Sequence, residues 1–118
     1  MDIFVRPALC VRTGDHTTTG NAYVVIADDD TTNSYFLVKG YKGKIVSLVC
    51  TLNDLLYKAD ASVDGTNWHP IVAETLILKD AIGYFTNTEN WHEIRIQVKP
   101  NVAATHGKLA VTLAGSTL

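Results

Sequence analysis

Fifteen residues, Tyr57 to Ile71 (YKADASVDGTNWHPI), constrain the fold of this 118-residue chain more than any other stretch. Tyr57, Ala59, Ala61 and Val63 alternate with Lys58, Asp60, Ser62 and Asp64, the period-two pattern of a strand with one buried and one wet face. Asp64-Gly65-Thr66-Asn67 then supplies residues that tolerate positive φ or bond their own backbone, so the chain reverses there. Trp68 follows at once, and Ile71 resumes an apolar pattern. The stretch reads as a β-hairpin with a large aromatic anchor at its return, at the core of a β-sandwich.

The remainder of the chain supplies further strands. Ile3 to Thr13 reads as the first, with Pro7 marking an edge or a bulge where a missing N–H is harmless. Gly14 to Gly20 reads as a polar loop. Asn21 to Ala27, with Val24, Val25 and Ile26 in succession, reads as a strand covered on both faces. Asp28 to Ser34 is a loop by composition, Tyr35 to Val38 a strand, and Gly40 to Gly43 a turn. Lys44 to Leu52 is dense enough in apolar residues for a central strand. Thr51 to Ala59 also fits a short helix, because Leu52, Leu55, Leu56 and Ala59 share a helical face. The clean alternation beyond Tyr57 favours a hairpin turn at Asn53-Asp54 instead.

Ile71 to Leu78 forms a strand interrupted near Glu74. Lys79 to Thr88 is less regular, with a bend at Gly83 and with Tyr84 and Phe85 as core or rim aromatics. Trp91 to Lys99 is the clearest strand: Ile94, Ile96 and Val98 face one way, Arg95, Gln97 and Lys99 the other. Pro100 ends it. Lys108 to Ala114 closes the fold with Leu109, Val111 and Leu113 inward. About eight short strands with turn signals between them predict one antiparallel β-sandwich over residues 1–118, of jelly-roll or immunoglobulin-like topology.

Bulk properties exclude several functions. The net charge is −2, and the ten basic residues are scattered singly, which argues against a nucleic-acid footprint. Apolar runs of four or five residues fall far short of the ~20 that a spanning helix requires. The opening MDIFVRPALCVRTGD lacks the apolar core of a signal peptide. The expectation is a soluble protein made in a cytoplasm, with no membrane partner. Cys10 and Cys50 lie in apolar runs and read as buried thiols, with a disulfide between neighbouring strands as the alternative. Their spacing does not suit zinc.

No constellation of catalytic residues emerges. There is no GxSxG elbow, no cysteine with a nearby histidine and no phosphate-cradling loop, and the spacing of Glu74, Glu89 and Glu93 does not single out a carboxylate pair. His16, His69, His92 and His106 lack metal-ligand spacing. Asp28-Asp29-Asp30 with Thr31, Thr32 and Asn33 has the oxygen density of a Ca²⁺ loop but not the EF-hand pattern, and reads as a solvated loop. Neither a metal nor a cofactor is expected, and the chain is not expected to be an enzyme. Tyr41, Trp68, Tyr84, Phe85 and Trp91 fall at turns or strand starts, where a sugar-stacking platform or a subunit interface would place them. Asn67-Trp68-His69-Pro70-Ile71 and Asn90-Trp91-His92-Glu93-Ile94 share N-W-H-x-I. That echo favours both tryptophans as core plugs.

From Lys58 to Gly115, the pattern S-x-D-G-T-N-W-x-P-I, then W-x-x-I-R-I-x-V, then G-x-L-x-V-T-L resembles the small β-sandwich proteins encoded among bacteriophage and prophage virion genes. These include capsid decoration and head or tail accessory proteins. The D-G-x-x-W turn with a late I-R-I strand also resembles discoidin-type jelly rolls, which bind carbohydrate or lipid head groups. The first resemblance implies a structural protein that forms a homo-oligomer and packs beside other virion proteins such as a major capsid protein. It would be assembled in the host bacterial cytoplasm and carried in the virion. Small neutral positions such as Ala103, Ala104, Ala110, Thr112 and Ala114 suit such packing, and near-neutral charge permits many copies side by side. The rival expectation is a carbohydrate-binding module that stacks sugars on Trp68, Trp91 and Tyr84. Under either expectation the residues put forward for contact are Asp64, Thr66, Asn67, Trp68, Tyr84 and Trp91.

Overall fold

The computed structural model describes residues 9–18 and 20–117. Nine strands occur among them: β1 (Leu9–Thr18), β2 (Val24–Val25), β3 (Phe36–Leu37), β4 (Gly43–Thr51), β5 (Leu55–Ser62), β6 (His69–Ile77), β7 (Ile82–Asn87), β8 (Glu93–Pro100) and β9 (Gly107–Ser116). They build two antiparallel sheets, β1-β9-β4-β7 and β2-β8-β5-β6, with β3 also on β8. The protein is an all-β sandwich.

The pairings are nested. β5 pairs with β6, β4 with β7, β2 and β3 end to end with β8, and β1 with β9. Each pair encloses the one before it, which is the path of one long hairpin rolled into two sheets. Of the two topologies open from the sequence, this strand order is the jelly roll. The innermost hairpin, β5–β6, is the Tyr57–Ile71 stretch. Two further pairings, β4 with β9 and β5 with β8, complete the sheets.

Alternation sorts the side chains. Leu55, Tyr57, Ala59 and Ala61 of β5 and Ile94, Ile96 and Val98 of β8 face Val46, Leu48 and Cys50 of β4 and Leu109, Val111 and Leu113 of β9 across the interior. Ile26, Phe36 and Val38 close one side. Because the side-chain period is two, a slip of one residue in any central pair would turn this set out to water, so the pairing register is strongly specified.

Several local expectations are corrected. The chain does not loop at Gly14: β1 continues through Gly14 to Thr18, opposite β9 from Val111 to Gly107. Gly14 signals close packing instead, since a Cβ there would lie 2.4 Å from the Ala27 carbonyl oxygen. The start of the first strand at Ile3 and the break at Pro7 lie outside the described residues. The Asn21–Ala27 strand shrinks to Val24–Val25, and Val24 is exposed rather than covered on both faces. Thr51 to Ala59 is not helical. Asn53 N donates to Thr51 O, Leu52 takes a positive φ of 76°, and the turn carries the chain from one sheet to the other rather than closing a hairpin. Lys79 to Thr88 contains the regular edge strand β7; its pattern was obscured because Gly83 and Asn87 occupy positions of the inward side beside Phe85. Val63 is exposed, and Ser62 is the buried member of that pair.

Near Glu74 the interruption is real: between the pairs Tyr57↔Thr75 and Asp60↔Pro70, β6 carries two more residues than β5. Such bulges bend the strand and increase its twist. Cys50 is a free, buried thiol. Cys10 lies opposite Gly115, which lies opposite Lys44, six positions along β4 from Cys50. At about 3.3 Å per residue that separation is roughly 20 Å, which rules out a disulfide between the two.

Gly14→Ala is expected to destabilise the protein by about 1–3 kcal/mol, because the added methyl meets backbone and the buried Ile26 and Phe36. Gly20→Ala, with open space around it, should stay within about 0.5 kcal/mol of the parent. Urea unfolding of the two variants checks the pair, and equal midpoints would contradict the packing described for β1.

Candidate functional site

The Asp64–Asn67 turn is held together by its own polar groups. Asp64 Oδ1 accepts hydrogen bonds from the backbone N–H groups of Thr66 and Asn67, both at 2.8 Å, and Oδ2 accepts from Asn67 Nδ2 at 2.7 Å. The buried Ser62 hydroxyl donates to Asp64 Oδ1 at 3.0 Å and accepts from the backbone N–H of Asp64 and Gly65. Gly65 takes a φ of 75°, the left-handed conformation this reversal requires. The N–H groups of Asn67 and Thr66 hold the Asp64 carboxyl well below the usual carboxylate range. Asp64 and Asn67 are thus committed to the turn, which leaves Thr66 exposed at its tip.

Trp68 and Trp91 are not equivalent. Trp91 packs against the core and its ring lies 5.6 Å from the His69 imidazole, so the two N-W-H-x-I segments meet through His69. Trp68 lies outside the core cluster. Its ring is covered by the Arg95 guanidinium at 4.4 Å, and Arg95 Nη2 bonds Asp60 Oδ2 at 3.0 Å. Asp60 and Arg95 are cross-strand partners on β5 and β8.

The same outer face carries a second network that the sequence reading missed. The ammonium groups of Lys58 and Lys99 lie 4.4 and 4.8 Å from the centre of the Tyr23 ring, and its hydroxyl donates to Glu74 Oε1. Lys99 Nζ lies 3.5 Å from the same carboxylate oxygen. Partial burial, reinforced by Glu74, raises the Tyr23 phenol pKa, and the Tyr23 hydrogen bond lowers that of Glu74. The outward alternation of Lys58 with Asp60 and of Arg95 with Lys99 was visible in sequence. Tyr23, three residues before Ile26, the nearest buried apolar side chain of its own strand region, offered no such pattern.

The outer face of the other sheet differs in kind. Register places its outward residues in three rows across β1, β9, β4 and β7: Val11, Ala114, Ile45, Thr86; then Thr13, Thr112, Ser47, Tyr84; then Asp15, Ala110, Val49, Ile82. Among these twelve positions Asp15 is the one charge, and Lys108 pairs with it at 3.4 Å at the end of the face. Large apolar groups stand in water here, including Val11, Ile45 and Val49, with Ile82 76% and Tyr84 71% exposed. A hollow of about 330 Å³ opens at one end between Ile45, Thr86, Thr88, Ala114 and Gly115. Beneath it Lys44 is buried, its ammonium donating to the carbonyls of Tyr41, Lys42 and Glu89 at 3.0, 2.8 and 2.6 Å. Burial lowers its pKa, and Glu89 opposes that shift.

The structure therefore brings Asp64, Thr66 and Asn67 together in one turn next to Trp68, with Trp91 reached through His69. Tyr84 stands apart on the opposite sheet. The three rings do not form one platform. In the Asp28–Asn33 loop, Asp28 is buried and Oδ1 accepts from Asp30 N at 2.9 Å, Arg12 Nε lies 3.9 Å from Asp28 Oδ2, and Thr13 Oγ1 donates to Asp29 Oδ2. Among the described residues no group of three or more His, Cys, Asp or Glu is placed to hold a metal ion, and no helix is long and apolar enough to cross a membrane.

No family model matches the sequence, and no curated protein matches it. Solved structures do match the fold. The SPBc2 prophage-derived protein YomS aligns over 97% of this chain and 99% of its own, with a TM-score of 0.61 at 9% identity. PirA aligns over 84% of this chain and 90% of its own, with a TM-score of 0.56 at 15% identity. A CBM4 structure aligns over 86% and 82%, with a TM-score of 0.52 at 11% identity. At these identities the likeness is one of fold.

Acid titration tests the turn. The Asp64 pKa is depressed in the folded state, so its stabilisation is present above the unfolded value of about 3.9 and is lost as pH falls below it. Asp64→Ala should lower the urea midpoint at neutral pH, and the gap from the parent should narrow at pH values under about 4. A gap that stays constant across that range would show that the carboxylate is not held as described.

Proposed function

We propose that this chain is a non-enzymatic structural subunit of a phage virion, of the capsid decoration or head-to-tail accessory kind, acting by homo-oligomeric packing on the shell. The observation that carries the reading is the fold shared with a prophage-derived protein along nearly the whole of both chains. The face of the β1-β9-β4-β7 sheet, apolar in its large groups and with Asp15 as the one charge in its three rows, supports it, since such a surface gains free energy by leaving water. Its work would be area burial, with each copy bridging neighbouring shell subunits such as those of a major capsid protein. The subunit would be assembled in the host bacterial cytoplasm and carried in the virion.

A second reading, a carbohydrate-binding module, draws on the CBM4 likeness and the exposed Tyr84. The separation of Tyr84 from Trp68 and Trp91, and the guanidinium over Trp68, favour the first reading.

Quantitative mass spectrometry of density-purified particles from a host carrying this gene tests the proposal. The chain should be present at a fixed copy number per particle, and an antibody against it should label intact virions. A chain found in the lysate but absent from purified particles would sink the virion reading. Tryptophan emission that shifts on adding glycans, together with that absence, would support the carbohydrate-binding alternative.

A further inference from the structure

The outer face of the β1-β9-β4-β7 sheet has a relief as well as a chemistry. On β4 the outward residues at its two ends, Ile45 and Val49, are large; on the neighbouring β9 the residues opposite them are Ala114 and Ala110. Large groups on one central strand stand beside small ones on the other, with Ser47 opposite Thr112 between them. A two-fold axis lying in the face, parallel to the strands and between β9 and β4, would lay each central strand over its neighbour from a second copy. Ile45 would then meet the second copy's Ala114, Val49 its Ala110, and Ser47 its Thr112. At the margins Thr86 would cover Val11, Tyr84 would cover Thr13, and Ile82 would lie over Asp15 beside Lys108. The alternative in-plane axis, perpendicular to the strands, sets Ile45 on Val49 and Ala114 on Ala110, large on large and void on void, which packs poorly.

We propose that this face is an isologous dimer interface, in which β4 of one copy seats on β9 of a second copy about a two-fold axis parallel to the strands. The inference rests on the reading of the chain as a self-packing structural subunit and names the surface and symmetry it uses. Three observations select a second copy as the occupant. Strands of six to ten residues give the face a footprint of roughly 550 Å² per copy, so a pair covers about 1,100 Å², where specific interfaces begin. The three rows carry one charge, already neutralised by Lys108, so two copies meet without like-charge repulsion. Ala114, on which the second copy's Ile45 would sit, lines the hollow at the end of the face, which gives that larger side chain a place to enter. Two sheets packed this way lie about 10 Å apart with strands within roughly 30° of one another. The outer face of the β2-β8-β5-β6 sheet, with Lys58, Asp60, Glu74, Arg95 and Lys99, offers no such self-complementarity.

Sedimentation equilibrium of the full chain should give twice the 12.9 kDa chain mass. Thr112→Arg and Ser47→Glu, each made alone, should remain folded by circular dichroism and lose affinity for themselves by at least about tenfold, because each brings an unpaired charge to the axis. Mixed one to one, they should recover a dimer, since the proposed axis sets Arg on Glu; the perpendicular axis would not. Ala73→Arg, on the edge strand of the other sheet, should leave association unchanged. A wild-type chain that stays monomeric at millimolar concentration overturns the inference, as does a dimer that Ala73→Arg breaks or one that the mixture fails to restore. None of these outcomes bears on whether the chain is found in purified particles, so the two proposals fail separately.

Discussion

Everything in this fold hangs on the reversal between β5 and β6. Because the roll is one long hairpin, every other pair lies outside this one, and the part of it beside the turn takes its register from the turn. The turn is fixed chemically. One carboxylate accepts two backbone N–H groups and a side-chain amide, and one buried hydroxyl braces both the carboxylate and the backbone beneath it. With the turn so set, Ala61 meets His69 and Asp60 meets Pro70, and β5 runs beside β8 without a shift from Leu55 to Ser62. The irregularity is confined to β6, at the sheet edge, where bulges are absorbed without disturbing the central pairings.

The two central strands then decide what each outer face can do. β8 alternates Ile94, Ile96 and Val98 inward with Arg95, Gln97 and Lys99 outward, and its neighbour β5 answers with Asp60 and Lys58. That face ties its charges to one another and to the rings of Tyr23 and Trp68. β9 alternates Leu109, Val111 and Leu113 inward with Ala110, Thr112 and Ala114 outward, and β4 answers with Val49, Ser47 and Ile45. Both sheets bury one side equally well. Their exposed sides differ because the outward residues carry ionic partners in one sheet and methyl groups in the other.

How much of this was legible in sequence depended on how many neighbours a segment has. β4, β8 and β9 each pair on two sides and cover a core, so strict alternation was needed and was readable. The edge strands were not. β7 has one neighbour, and its outward Ile82 and Tyr84 break the apolar-in rule that the reading relied on. β1 carries Gly14 and Asp15, residues of loop composition, yet Gly14 is required by the approach of the Ala27 carbonyl, a contact between segments far apart in the chain. The fate of the tryptophans was hidden for the same reason. The two N-W-H-x-I segments look alike locally, but Arg95 reaches over Trp68, while Trp91 lies against the core. The turn residues were identified correctly as a turn; that Asp64 and Asn67 bond each other and the backbone was not legible, because it depends on how the turn brings their polar groups together.

The chemistry of the faces bears on function where the fold does not. A jelly roll serves capsid subunits and lectins alike, so topology leaves the partner open. A sugar presents hydroxyls around its rim and C–H groups on its faces, so a site for it needs a ring to stack on together with polar groups placed to bond the rim. Trp68 has polar neighbours, but its ring carries a guanidinium on one face and is only partly open. Tyr84 is open, but its neighbours across the face are Ser47, Thr112 and Thr13 in one row and aliphatic residues in the rows on either side. Ile45, Val49 and Ile82 gain little from a polyol and much from another apolar surface, at roughly 25 cal/mol for each Å² withdrawn from water. Burial against another protein surface is the use this chemistry favours, and the alternation of large on β4 with small on β9 gives the face a relief complementary to its own.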